Sequence, residues 1–203
     1  GRRRVFASAA DWPGWSRSGK DETLALEALA AASARYALAA KAARIAFAPG
    51  TRFEVAERLP GDATTEFGAP GAIAKAESKR LTKKEAGRLS ALVAASWTVL
   101  DRVVEKAPPS LRKGPRGGGR DRDKIVEHVL AAETAYARKL GLRLQTPDAG
   151  DAAALRDHRN AIVAALRAGT RGVTERGWPA RYAARRIAWH VLDHAWEIED
   201  RST

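Results

Sequence analysis

Arg181-Tyr-Ala-Ala-Arg-Arg-Ile-Ala-Trp-His190-Val-Leu-Asp-His194-Ala-Trp-Glu197-Ile-Glu-Asp200 decides how the chain is read. Ala183, Ile187, His190, His194 and Glu197 recur at three- and four-residue steps, so a helix places all five on one face. Two histidines four residues apart on a helix have Cβ atoms about 6 Å apart, close enough to share one ion. The stripe that carries them is apolar, so they point into a core and need partners there.

Working backwards, the same period recurs. Pro179 suits the first turn of this helix, which is expected to run to about Asp200, and Asp148 or Asp151 starts an earlier helix that ends before Gly169. Before that, Asp121 opens a helix ending near Gly141, and Ile125-Val-Glu-His128-Val-Leu130 sets a third histidine on its apolar face. Thr82-Lys-Lys-Glu85 fits a capping box for a helix carrying Leu89, Leu92, Val93, Ser96, Leu100, Val103 and Val104 as far as Pro108-Pro109. Gly114-Pro-Arg-Gly-Gly-Gly119 is an open basic connection; it lacks the Gly-Lys-Ser/Thr ending of a phosphate-binding P-loop. Four amphipathic helices of similar length predict a mainly α fold, a four-helix bundle over residues 81–203.

Residues 1–80 read as a small α/β region with two short strands and a long helix. Arg4 to Ala9 and Phe53 to Leu59 are the expected strands. Asp11-Trp-Pro-Gly-Trp15 is a tight turn, and an Ala-rich helix capped by Asp21 is expected from Glu22 to Ala46. Residues 60–71 read as a loop.

Composition narrows the chemistry. The 203 residues include no cysteine, which excludes disulfides, thiolate ligands and a Cys nucleophile; any metal site must use His with Asp or Glu. Lys and Arg number 36 against 24 Asp and Glu, a net charge of +12 that attracts polyanions and small acids alike. No run approaches the roughly 18 to 20 apolar residues of a membrane span, so a soluble, cytoplasmic protein without a membrane partner is expected. The tryptophans are too scattered for a base-stacking platform and belong to packing.

Two of the four histidines form the i, i+4 pair, and His128 joins them from a facing helix, as helix bundles build metal sites. The other reading is a core pair satisfied by ordinary hydrogen bonds. His158, between Asp157 and Arg159, reads as a surface residue. Arg186, one turn before His190, could hold an acidic group of a substrate; otherwise it is a surface arginine paired with an acidic neighbour. Glu133 and Glu197 are candidates to orient the ligand imidazoles, and Glu197 is equally placed to pair with Arg201.

Trp97-Thr-Val-Leu-Asp101, Glu127-His128 and His190-Val-Leu-Asp-His194, taken in this order, resemble the pattern of the DinB-like (YfiT-like) metal-binding family over residues 82–200. The resemblance implies one divalent ion, zinc or nickel, on His128, His190 and His194. It also implies a metal-dependent thiol transferase or isomerase that uses a low-molecular-weight thiol on a small-molecule substrate, or a hydrolase that uses water. A homodimer is compatible with it. Asp11 to Trp15 with Gly19-Lys-Asp-Glu-Thr-Leu-Ala-Leu is faintly similar to the HicB-like antitoxin fold. The competing functional reading is a basic nucleic-acid-binding or regulatory protein whose histidines or metal are structural; without a groove-reading motif, only weak, non-specific binding is expected from it.

Overall fold

The computed structural model describes residues 1, 3–49, 52–114, 117–169 and 177–202. Among them the chain is mainly helical, with one two-stranded sheet near its start. Strand β1 (Val5–Ser8) pairs antiparallel with β2 (Ser16–Gly19), Val5 opposite Gly19 and Ser8 opposite Ser16. The turn between them is held by Gly14 at φ 94°, and a side chain there would meet Leu192 and Ala188 at 2.9–3.1 Å. Glycine is therefore required twice, for the left-handed backbone and for the close approach to the last helix.

The expected long N-terminal helix is two. Asp21 caps α1 (Glu22–Ala31) by accepting from the Leu24 amide, and after a break at Ala32 the chain continues as α2 (Ser33–Ala42). It ends four residues short of Ala46, ahead of Arg44 at φ 57°. The segment expected as a strand from Phe53 to Leu59 has no ladder partner among the described residues; Phe53 packs edge-on against Trp15, at 5.7 Å. The second strand is Ser16–Gly19 instead, because the tight turn folds that segment straight back on β1. Within the expected 60–71 loop lies a short helix, α3 (Ala63–Phe67), closed by an Asp62–Thr65 capping box and Gly68 at φ 118°.

The remaining helices follow the sequence pattern closely. They are α4 (Lys83–Lys106), α5 (Arg122–Lys139), α6 (Ala152–Ala168) and α7 (Ala180–Arg201). Thr82 and Glu85 form the reciprocal capping box at the start of α4, and Asp151 accepts from the Ala153 and Ala154 amides to open α6. Asp121 precedes α5 without capping it, since its carboxylate accepts from the Leu111 amide at 3.0 Å and from Lys113 Nζ at 2.6 Å.

Helix α7 runs through the centre: α4, α5 and α6 all contact it, α6 also packs on α4, and α2 lies against the outer side of α4. Its residues from Tyr182 to Leu192 are buried without interruption, all round the helix, as befits a central element. A single hydrophobic core joins Trp15, Leu29 and Tyr36 of the N-terminal part to Leu89, Leu100, Ile125, Ile162, Ile187 and Ile198. Trp15 and Tyr36 stack at 5.6 Å, and their polar tips are satisfied by the carbonyls of Leu29 and Pro13. No described helix is long and apolar enough to cross a membrane.

Candidate metal centre

Helices α5 and α7 bring His128, His190 and His194 together. One ring nitrogen from each can be chosen so that all three lie within 4.8 Å of one another, and the His128 and His190 Nε2 atoms are 3.3 Å apart. Two nitrogens bound to one tetrahedral ion at about 2.1 Å stand roughly 3.4 Å apart, so the spacing fits a shared cation. His190 is only 8% exposed, whereas His128 and His194 are half-buried, which makes the group accessible from one side.

The tautomer of one of the three is set by its neighbours. His194 Nδ1 lies 2.8 Å from Glu197 Oε2, so Nδ1 carries the proton that the carboxylate accepts, and Nε2 is the nitrogen that the neutral ring offers to the centre. Glu197 is itself held, Oε1 accepting from Arg201 Nη1 at 2.7 Å, so it makes both of the contacts expected for it. The bond from His194, ahead of its other partners, keeps the Glu197 carboxyl below its ordinary range.

Burial first, then the neighbouring His194 and His128, hold His190 well below the ordinary imidazole range. His128 is lowered by burial, His194 and Arg120. Both are therefore neutral at neutral pH, the form that ligates a metal. Two neutral imidazoles with a third beside them and one side open could hold a divalent ion.

The other sequence candidates fall elsewhere. Glu133, five residues past His128, turns away from the centre: Oε1 accepts from Trp97 Nε1 at 2.7 Å, and Oε2 lies 3.9 Å from Arg159 Nε. Burial pushes its carboxyl up to about 7. His158 is not a surface residue; it is buried on α6, with Nδ1 3.2 Å from the Gln145 carbonyl. The charged neighbours Asp157 and Arg159 flank it in sequence but leave the helix on other faces.

Arg186 is likewise buried, 5% exposed, and it makes no ion pair among the described residues. Its Nη2 donates to the Tyr136 hydroxyl at 3.3 Å, and its guanidinium lies 5.5 Å from the Tyr136 ring, 5.8 Å from Trp178 and 5.2 Å from Trp189. Tyr136 was not singled out from the sequence, yet its ring meets His190 edge-on at 5.7 Å. The signal was its position eight residues after His128, two turns along the same helix face. Arg120, in the basic connection before α5, is exposed and adds its positive field at His128 and His190.

No family model matches the chain, and no curated protein or solved structure is detectably similar to it.

Proposed function

We propose that the chain holds one divalent ion on His128, His190 and His194 and uses it as a metal-dependent enzyme of the DinB-like kind. In this reading α4 to α7 are the family's four-helix bundle, and the enzyme adds or transfers a low-molecular-weight thiol, or water, to an electrophilic small molecule. The observation that carries the reading is the 3.3 Å approach of His128 and His190 Nε2 from two helices, beside a His194 whose tautomer Glu197 sets. Burial and the neighbouring imidazoles lower the proton affinity of His128 and His190, which leaves their lone pairs free for a cation.

When bound, a divalent ion supplies Lewis acidity that makes a thiol or water at its open side a better nucleophile. The chain's own residues do the rest. Glu197 and Arg201 fix the His194 ring, burial keeps His190 unprotonated, and the aromatic wall of Tyr136 and Trp189 excludes water from the inner side.

Metal analysis of untagged protein tests the ion. About one divalent ion per chain is expected in wild type, sharply less in His128→Ala, His190→Ala and His194→Ala, and an unchanged amount in His158→Ala. Equal occupancy in all of these variants would sink the centre. Cobalt substitution tests the thiol: adding a low-molecular-weight thiol should raise an intense charge-transfer band near the ultraviolet. A bound cobalt ion with no such band would leave water as the nucleophile.

A further inference from the structure

Arg185 and Arg186 are adjacent on α7 and both buried, at 8% and 5% exposure. Arg185 is fully matched: Glu77 takes Nε at 2.5 Å and Nη2 at 2.9 Å, and the Pro70 and Ala72 carbonyls take Nη1 and Nη2, both at 2.8 Å. Among the described residues Arg186 has one neutral hydrogen-bond partner, the Tyr136 hydroxyl, while its Nε and Nη1 are buried with none. Among the described residues, acidic groups on and beside α7 are engaged elsewhere: Glu85 by Arg181, Asp193 by Arg17 and Glu197 by His194 and Arg201.

A buried carboxyl without enough partners can take up a proton and become neutral, as the raised Glu133 carboxyl does. A guanidinium cannot lose its charge at any pH a protein survives. The three aromatic rings around Arg186 stabilise a cation through their faces, but they accept no in-plane N–H bonds. The missing partner is an anion.

We infer that Arg186, with Tyr136, is the anchoring site for an oxyanion, a carboxylate or phosphate, carried by the small molecule on which the His128–His190–His194 centre acts. Arg186 precedes His190 by one helical turn, roughly 6 Å along α7, and Tyr136 touches both. The substrate is therefore a short acid whose charged group lies only a few bonds from its reacting atom. Having accepted from Arg186, the Tyr136 hydroxyl can turn its own proton to the anion. Arg120, exposed and within electrostatic reach of His128 and His190, favours entry of negative charge from solvent.

This inference rests on the metal reading for its reacting atom, but the anion site can be tested without the metal. In chelator-treated protein, succinate should saturate and change the fluorescence of Trp178 and Trp189, and neutral succinamide should do neither. Arg186→Gln should weaken succinate at least about tenfold, the loss expected for a hydrogen-bonded charge partner. Tyr136→Phe, which keeps the ring and so the packing, should weaken it by a smaller factor, whereas His190→Ala should abolish metal uptake and leave succinate binding in place. Inorganic phosphate competing better than succinate in an Arg186-dependent way would assign the oxyanion as phosphate and support the site equally. On the cobalt-loaded protein, 3-mercaptopropionate should bind more tightly than 2-mercaptoethanol, and the preference should vanish in Arg186→Gln. Failure to take up cobalt would remove the metal reading and leave the succinate titration to decide the anion site. Succinate and succinamide binding alike in folded wild-type protein, or succinate binding unchanged in folded Arg186→Gln and Tyr136→Phe, overturns the inference.

Discussion

The two faces of α7 solve the same problem differently. On one, Arg185 reaches the segment from Pro70 to Ser78 and finds a carboxylate and two carbonyls, so a buried charge fastens the chain ahead of α4 onto the centre of the fold. On the other, Arg186 and His190 reach α5 and meet aromatic rings, the Tyr136 hydroxyl and the His128 imidazole. A matched polar group fastens two segments together; a buried unmatched one is the place where a partner from outside the chain would be bound most strongly.

The most damaging way to probe this contrast is to exchange each arginine for a methionine of similar length. Arg185→Met strands the Glu77 carboxylate and two carbonyls, and should cost about 4 kcal/mol in equilibrium urea unfolding. Arg186→Met removes a charge that has no counter-charge among the described residues and should leave stability within about 0.5 kcal/mol or raise it. Equal losses in the two variants would erase the distinction.

Glu133 supplies an intermediate case, an under-partnered carboxyl that answers by protonation. Its folded value near 7 lies above the ordinary 4.5, so its favourable contribution is complete below about pH 4.5 and is lost as pH rises through 7. Glu133→Gln keeps an acceptor for Trp97 and should flatten this part of the pH dependence. The wild-type-minus-variant stability difference should drift by on the order of 3 kcal/mol between pH 4 and pH 8. No drift in a pH series of denaturation curves would mean that Arg159 already compensates the charge.

Metal itself should act on the open side only. Added zinc or nickel at about 100 times its dissociation constant should stabilise the wild type by about 2.7 kcal/mol in the same assay and leave His190→Ala where it was. The smallest expected effect lies away from both faces: Thr82→Ala breaks the α4 capping box and should cost about 1 kcal/mol, with no change in metal or anion binding.

What could be read in advance follows the range of the interactions. Thr82 with Glu85, Pro108, Asp151 and Pro179 act on their own helix ends, so α4, α6 and the start of α7 were legible from residues next to one another. The approach of His128 to His190 was legible because both lie on apolar stripes that must face a common core. The break at Ala32 leaves no local mark in an Ala-rich run, since every residue there favours helix. Ser16 to Gly19 has no alternation of its own and becomes a strand only because β1 is close, while the better alternation around Phe53 finds no edge to pair with. Glu133 and His158 were misplaced for a related reason: their partners, Trp97 and Gln145, lie on other segments. The pairing of Arg185 rather than Arg186 with Glu77 is equally invisible in the dipeptide.

His128 and His190 are separated by 62 positions along the chain. An ion shared between them is a reversible cross-link that closes a loop spanning all of α6, and it can close only after α5 and α7 have docked. Loop closure of that length gives the centre no existence in the unfolded chain, so metal affinity is paired one-to-one with correct assembly. Uptake of an added ion during refolding would then mark the docking of α5 on α7, a step that far-ultraviolet dichroism misses when both helices are already wound.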